Sequence, residues 1–486
     1  MRTWLMRLIG LLGIFSLVWL AVIIYWQGTA HVPSGDELAI YMVLVPLTIA
    51  IVVFGAYKLF TRPAEVPAAG VGSNPDKTKA QDQPDESECA WTIFVVGSSL
   101  HTPAGTSSSE VLGALQAGDV QLKLDPELKN SEGFPVFAAR MADLDVSDTQ
   151  EAFDQWQKSS AYPDVQWTEG QCRALHLATQ SANEVFAQVV EHPQAVLFAA
   201  AQAEGRMPKE DTIAVLRLIG YWPTQWSGAH QTLASDWLKW LLTQKGWPAH
   251  RIVVHQRTSQ QLNPIAVLDA ICVDAHRKAL PMIGVLVACD SGIEQAYVDG
   301  LASRNQLFSG KNMQGCYPGE VAAALLFADW AQSQLIAQGP VSSLHRASWA
   351  SRDKSADERG RVSADLLGQL LGLALEASKL DASKIQLVSA DHDHNPSRES
   401  ELAEMLMTKL PDLDVSKDAV KVAQACGSMH QVSTTAALCL AHQYVVNEQQ
   451  AAVCVSLHDS LWRAAVVLNV PVDLEKQEQV AQPRAA

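Results

Sequence analysis

Three observations predict an α/β body behind a membrane-spanning hairpin. From residue 91 onward, short apolar runs of strand type alternate with longer stretches of helical periodicity, the pattern of a largely parallel sheet covered on both faces. Near the N-terminus two runs carry no charge, residues 8–26 (19 residues) and 38–57 (20 residues). The charge is divided: residues 1–62 hold four basic and two acidic side chains, the rest 32 basic and 50 acidic. A chain of 486 residues is long enough for two or three domains.

Each uncharged run is long enough to cross a hydrocarbon core at about 1.5 Å per helical residue. Trp4, Tyr25 and Trp26 flank the first, and Tyr41, Tyr57 and Phe60 the second, as interfacial aromatics do. A cleaved signal peptide fits poorly, because the run is long and a second span follows after a short loop. The loop 27–37 has no Lys or Arg, whereas Arg2, Arg7, Lys58 and Arg62 lie outside the spans. The positive-inside rule then places both termini and the body in the cytoplasm, with 1–62 as a two-pass hairpin in a bacterial inner membrane.

Residues 63–90, rich in Pro, Ala, Gly and Asp, read as a flexible linker, and 473–486 as a flexible tail. The expected strands are 91–96, 195–200, 251–255, 283–288, 385–390, 451–457 and 464–470. The expected helices are 171–190, 232–244, 265–278, 321–338, 362–378 and 432–447. Only six residues separate the last two strands, which suits an antiparallel closing pair. The eight cysteines are scattered without a C-x-x-C pair, and read as small buried hydrophobes.

The acidic balance, with a formal net charge of -16, argues against nucleic-acid binding. There is no G-x-S-x-G elbow, no H-E-x-x-H zinc motif and no P-loop. No catalytic residue, cofactor or metal ligand is therefore assigned. Asp391-His392-Asp393-His394-Asn395 reads as a solvated loop closed by Pro396; a metal site is the alternative. Trp222, Trp226, Trp237, Trp240 and Trp247 fall within 26 residues. Core packing explains Trp237 and Trp240 at helical spacing. Trp222, Trp226 and Trp247 are the candidates for an aromatic protein-binding surface.

Several stretches resemble the thiolase-like superfamily, above all the β-ketoacyl synthases. They are Phe94-Val-Val-Gly-Ser-Ser-Leu-His-Thr-Pro-Ala-Gly105, Leu286-Val-Ala-Cys-Asp-Ser291, Gly315-Cys-Tyr-Pro-Gly-Glu320, Ile385-Gln-Leu-Val-Ser-Ala-Asp391 and Ala425-Cys-Gly-Ser-Met-His430. Their order and spacing carry the resemblance over about residues 91–472. It implies a five-layer αβαβα body of two related halves, 91–340 and 341–472. It also implies a nucleophilic cysteine at the head of the helix 265–278. The stretch before that helix, Arg257-Thr-Ser-Gln-Gln-Leu-Asn-Pro264, contains none, and Cys272 lies two turns inside. His392 or His394 and His430 approximate the family's histidine loops, and His430 is displaced from the pattern.

A hairpin anchor, a polar linker and a degenerate synthase-like body together resemble a bacterial family of type VI secretion lipase adaptors. That resemblance implies a non-catalytic protein that loads a phospholipase toxin onto the secretion spike, with lipase and spike as protein partners. The alternatives are a divergent acyl-thioester condensing enzyme or acyltransferase, and an acyl-chain or acyl-carrier binding module.

Overall fold

The computed structural model describes residue 19 and residues 86–471, other than 161, 163–164, 206–212, 259–262, 359 and 430–431. The expected spans 8–26 and 38–57, the linker before residue 86 and the tail 473–486 lie outside the described residues. Among the described residues, no helix is long and apolar enough to cross a membrane. The expected linker ends earlier than residue 90, because Glu86–Cys89 forms a helical turn.

The first half of the body contains β1 (Ile93–His101), α1 (Ser108–Ala117), the hairpin β2 (Lys123–Lys129) and β3 (Pro135–Ala138), and α2 (Glu169–Val189). Then follow β4 (Leu216–Trp222), α3 (Gly228–Gln244), β5 (Ile252–Thr258), α4 (Pro264–Lys278), β6 (Ile283–Ser291) and β7 (Glu320–Ala328). The second half contains β8 (Ser342–Leu344), β9 (Ser348–Ser351), α5 (Asp365–Ser378), β10 (Ile385–Ala390), α6 (Pro396–Lys409) and β11 (Ala419–Lys421). It closes with α7 (Val432–Glu448), β12 (Ala451–Ser456) and β13 (Trp462–Asn469).

The strand order exposes a repeat that the residues alone do not. One 11-stranded sheet runs β11-β10-β12-β13-β8-β1-β7-β6-β4-β5, with β9 on β13. In the first half β4 pairs parallel with β5 and β6, while β7 is antiparallel to β6 and β1. In the second, β10 pairs parallel with β11 and β12, while β13 is antiparallel to β12 and β8. The two halves thus share one topology and meet where β1 pairs with β8.

Side-chain alternation along these strands feeds three separate cores. Leu326 on β7 packs with Phe186 of α2 and Leu238 of α3 on one side. Its neighbour Phe327 packs with Leu112 of α1, Leu268 of α4 and Leu438 of α7 on the other. In the second half, Val466 of β13 joins that middle core, and Val467 packs with Leu371 of α5 and Leu402 of α6. Helices therefore cover both faces of each half, and α1, α4 and α7 form a middle layer against strands of both halves. The middle helix α7 is buried along most of its length, its polar Ser433, Thr434, Thr435 and His442 included.

Local sequence explains most element ends. Thr168 and Gln171 form a capping box at the head of α2. Asn263 caps α4, where Pro264 occupies the first turn, a position needing no N–H donor. Residues 195–200, expected as a strand, instead lie in a helix, Pro193–Ala203. Pro at its start and the Ala-rich stretch favour helix. The helix expected over 321–338 is the strand β7 followed by a short helix, Trp330–Ile336. All nine β7 residues are buried between two strands, so tertiary pairing overrides the helix propensity of its alanines. The strand β4 was not anticipated. The closing pair β12–β13 is antiparallel, as expected.

Candidate functional site

Because β10 and β12 are parallel neighbours with Ala390 opposite Val455, their C-terminal ends deliver Asp391 and Ser456 to one place. The helix heads of α4 and α7 face the same place from the middle layer. Thr434 Oγ1 donates to Asp391 Oδ2 at 2.6 Å, and Ser456 Oγ at 2.5 Å. His458 Nδ1 lies 2.8 Å from the same oxygen. The N–H groups of Leu457 and His458 donate to Asp391 Oδ1 at 2.7 and 3.1 Å. Asn263, the cap of α4, donates through Nδ2 to Ser456 Oγ at 2.7 Å.

Asp391 is fully buried, which on its own raises a carboxyl pKa. His458 and the hydroxyls of Ser456 and Thr434 outweigh that burial and hold the group well below the ordinary carboxylate range. The carboxylate therefore stays ionised and orients the imidazole. Nε2 of His458 has no hydrogen-bond partner among the described residues, and the side chain keeps 11% exposure. An imidazole held at Nδ1 by a buried carboxylate presents Nε2 as the basic atom.

The neighbouring loop is less solvated than expected. His392 is completely buried, and neither ring nitrogen has a hydrogen-bond partner among the described residues. Its Nε2 stands 3.5 Å from Glu399 Oε1, too long for a normal hydrogen bond but close enough for an ion pair if the ring is protonated. Glu399 is held by Lys421 Nζ at 2.8 and 2.9 Å. His394 stacks on Tyr317 at 5.0 Å between ring centroids and meets Phe308 edge-on at 4.9 Å. Ser428 Oγ donates to Asp393 Oδ2 at 3.0 Å. Among the described residues no group of three His, Cys, Asp or Glu side chains could hold a metal ion. His430 lies outside the described residues.

The Gly315–Glu320 motif has a structural part. Tyr317 Oη donates to Ala423 O at 3.0 Å, and Ser428 N–H donates to Tyr317 O at 3.1 Å. A Cβ on Gly319 would overlap the Cys426 carbonyl, and Gly427 has φ +80°, so both positions require glycine. Glu320 is buried against Arg173, which donates to it at 2.7 and 2.8 Å.

None of the cysteines joins the Asp391 network. The head of α4 presents Asn263 and Pro264, with Cys272 inside the helix and buried. Burial pushes its thiol up to about 12, and that of Cys316 up to about 11. Cys289 and Cys454 are raised well above the usual thiol value for the same reason. Cys272, Cys289, Cys426, Cys439 and Cys454 are buried, as expected, whereas Cys89 is exposed.

The aromatic surface expected at Trp222, Trp226 and Trp247 does not form. The three are 1%, 4% and 1% exposed. Trp222 stacks on Trp226 at 5.7 Å and donates through Nε1 to Ser235 Oγ at 2.7 Å. Trp247 meets His192 edge-on. They belong to the core beneath α2 and α3. The exposed tryptophan of the body is Trp462, paired with Trp349 at the edge of β13.

Sequence reasoning singled out the Asp391 loop but missed His458, Ser456, Thr434 and Asn263 as its partners. One signal was readable: the apolar runs 385–390 and 451–457 each lead into polar side chains. Parallel strands of that kind bring their carboxyl ends, and ligand sites, together.

No family model and no curated protein matches the sequence. Solved structures do. The ishigamide ketosynthase/chain length factor superimposes with a TM-score of 0.51 at 14% identity, over 79% of this chain and 100% of that one. The oxazolomycin ketosynthase domain from Streptomyces albus JA3453 gives 0.50 at 13% identity, over 81% and 82% of the two chains. The ketosynthase from module 6 of the bacillaene synthase of Bacillus subtilis 168 gives 0.51 at 11% identity, over 78% and 72%. Nothing in these comparisons points to a secretion adaptor. The body of this chain has a ketosynthase-like α/β fold.

Proposed function

We propose that the body is a divergent acyl-thioester condensing enzyme or acyltransferase that works by acid–base chemistry at His458. The observation that carries this reading is the buried, ionised Asp391 holding His458 by Nδ1 at the head of the middle-layer helices. In that role Nε2 takes a proton from the attacking group, whether a carbon acid, alcohol or amine. It then returns the proton to the departing thiolate, so one thioester bond breaks as one acyl bond forms. Asp391 stabilises the imidazolium between the two transfers. Asn263 and Pro264 at the head of α4 argue against a cysteine-bound acyl intermediate at that helix head.

The test is thiol release from a panel of acyl-coenzyme A and acyl-pantetheine thioesters, with and without acceptors, by the full chain. His458→Gln should lower turnover at least about 100-fold, the usual contribution of a general base, with the fold unchanged. Equal turnover by the variant, or none by either protein, would defeat the reading.

A second reading is a non-catalytic, membrane-anchored adaptor carrying a phospholipase toxin to a type VI secretion spike. Its support is the missing thiol at the head of α4, together with the two uncharged runs and their basic flanks. It predicts tight binding of a lipase in calorimetry, unchanged by His458→Gln.

A further inference from the structure

Where the chain enters the body, ion pairs, hydrogen bonds and a ring stack tie it to α4. Arg277 donates to Glu88 through three hydrogen bonds of 3.0 to 3.1 Å. Arg346 donates to the Glu88 carbonyl at 2.9 Å. The same guanidinium grips Asp269 of α4 at 2.7 and 3.2 Å. Trp91 lies flat on His276, one residue before Arg277, with ring centroids 5.2 Å apart and planes 12° apart. This density of contact is out of keeping with the Pro- and Gly-rich sequence just before it, which has no apolar periodicity.

The other end of α4 is Asn263, whose amide donates to Ser456 in the Asp391 network. One helix therefore joins the entry segment to the centre. Helices transmit displacement along their axis because their hydrogen bonds are internal and their packed faces are not continuously deformable. Arg346 extends the tie across the molecule, since it lies between β8 and β9 of the second half.

We infer that residues 88–91 are a clamp on α4, so that a displacement of this entry segment is felt at Asp391. The inference goes beyond the acyl-thioester reading and does not need it, because the coupling is present without substrate.

Hydrogen exchange read by mass spectrometry on the full chain tests this without any activity assay. Two variants, Glu88→Ala and Trp91→Ala, open the clamp from different sides. Each should speed exchange by about tenfold in two places. The first is Asp269 to Lys278 in α4; the second is the Leu457 and His458 amides that donate to Asp391. The outer core around α2 and α3 should stay unchanged. Faster exchange confined to Glu86–Cys89 and Trp91 would overturn the inference. So would a loosened α4 with Leu457 and His458 unaffected. If Trp91→Ala unfolds the body, Glu88→Ala decides alone, because Glu88 lies outside the cores.

Discussion

Each half of the body buries a carboxyl group at a strand end, and the two are driven in opposite directions. Asp290, near the end of β6, has Gln225 Nε2 at 3.0 Å and the Ser291 N–H as donors. Burial dominates, Glu294 adds repulsion, and the group rises to about 7. Asp391, just past the end of β10, receives five donors and falls well below the carboxylate range despite equal burial. The adjacent His458 imidazole and the added donors, not depth, decide the charge state. The same division shows at the ends of the equivalent strands β4 and β10. The first runs into the Trp222–Trp226 stack, the second into the Asp391 network. One topology carries an apolar end in the first half and a charged centre in the second, so the fold fixes where a site can stand and not what it contains.

Four substitutions sharpen or break this contrast, in decreasing order of expected effect. Trp222→Ala should cost about 3–5 kcal/mol of unfolding free energy in a denaturant titration, as expected for a fully buried aromatic. A loss under about 1 kcal/mol would mean that the stack is not core. Asp391→Asn should cost about 1–3 kcal/mol at neutral pH, because an amide cannot accept all five hydrogen bonds. Its native pKa is depressed, so the carboxylate's contribution is present above pH ~4 and is lost as pH falls further. The variant should show a weaker loss of stability on acidification than the native chain.

Asp290→Asn should act on the other side of neutrality. A carboxyl raised to about 7 binds its proton more tightly folded than unfolded. It therefore contributes stability that is full below pH ~4 and lost as pH rises toward 7. The Asn variant should flatten the stability profile between those limits; an unchanged slope would remove Asp290 from the account. Trp462→Ala, at 41% exposure, should change stability by no more than about 0.5 kcal/mol.

Much of the fold was legible in residue patterning. Strands β10, β12 and β13 and helices α2, α4 and α7 fall close to the apolar runs and periodic stretches that announce them. The failures share a cause. The runs Pro193–Ala203 and Glu320–Ala328 are both apolar and alanine-rich, yet one is a helix and the other a strand paired on both sides. Periodicity is silent in such runs, and only neighbours distant in sequence decide. The repeat was invisible for the same reason, since it lies in pairing order. At the site, the Asp391 loop was noticed and read as solvated. Its burial depends on donors 43 to 67 residues away, which no local pattern reveals. The tryptophans mislead in the reverse sense: the clustering of Trp222, Trp226 and Trp247 in sequence signalled a surface, whereas all three pack into the core beneath α2 and α3.

The central claim is that Asp391 holds His458 by Nδ1, leaving Nε2 without a partner among the described residues and able to act as a base. The tautomer of the neutral His458 ring, read from its ¹⁵N chemical shifts in the full chain, tests this most directly. The account predicts the proton on Nδ1 and a bare Nε2, with that preference lost in Asp391→Asn. A proton on Nε2 in the native protein, or a tautomer unchanged by Asp391→Asn, would contradict it.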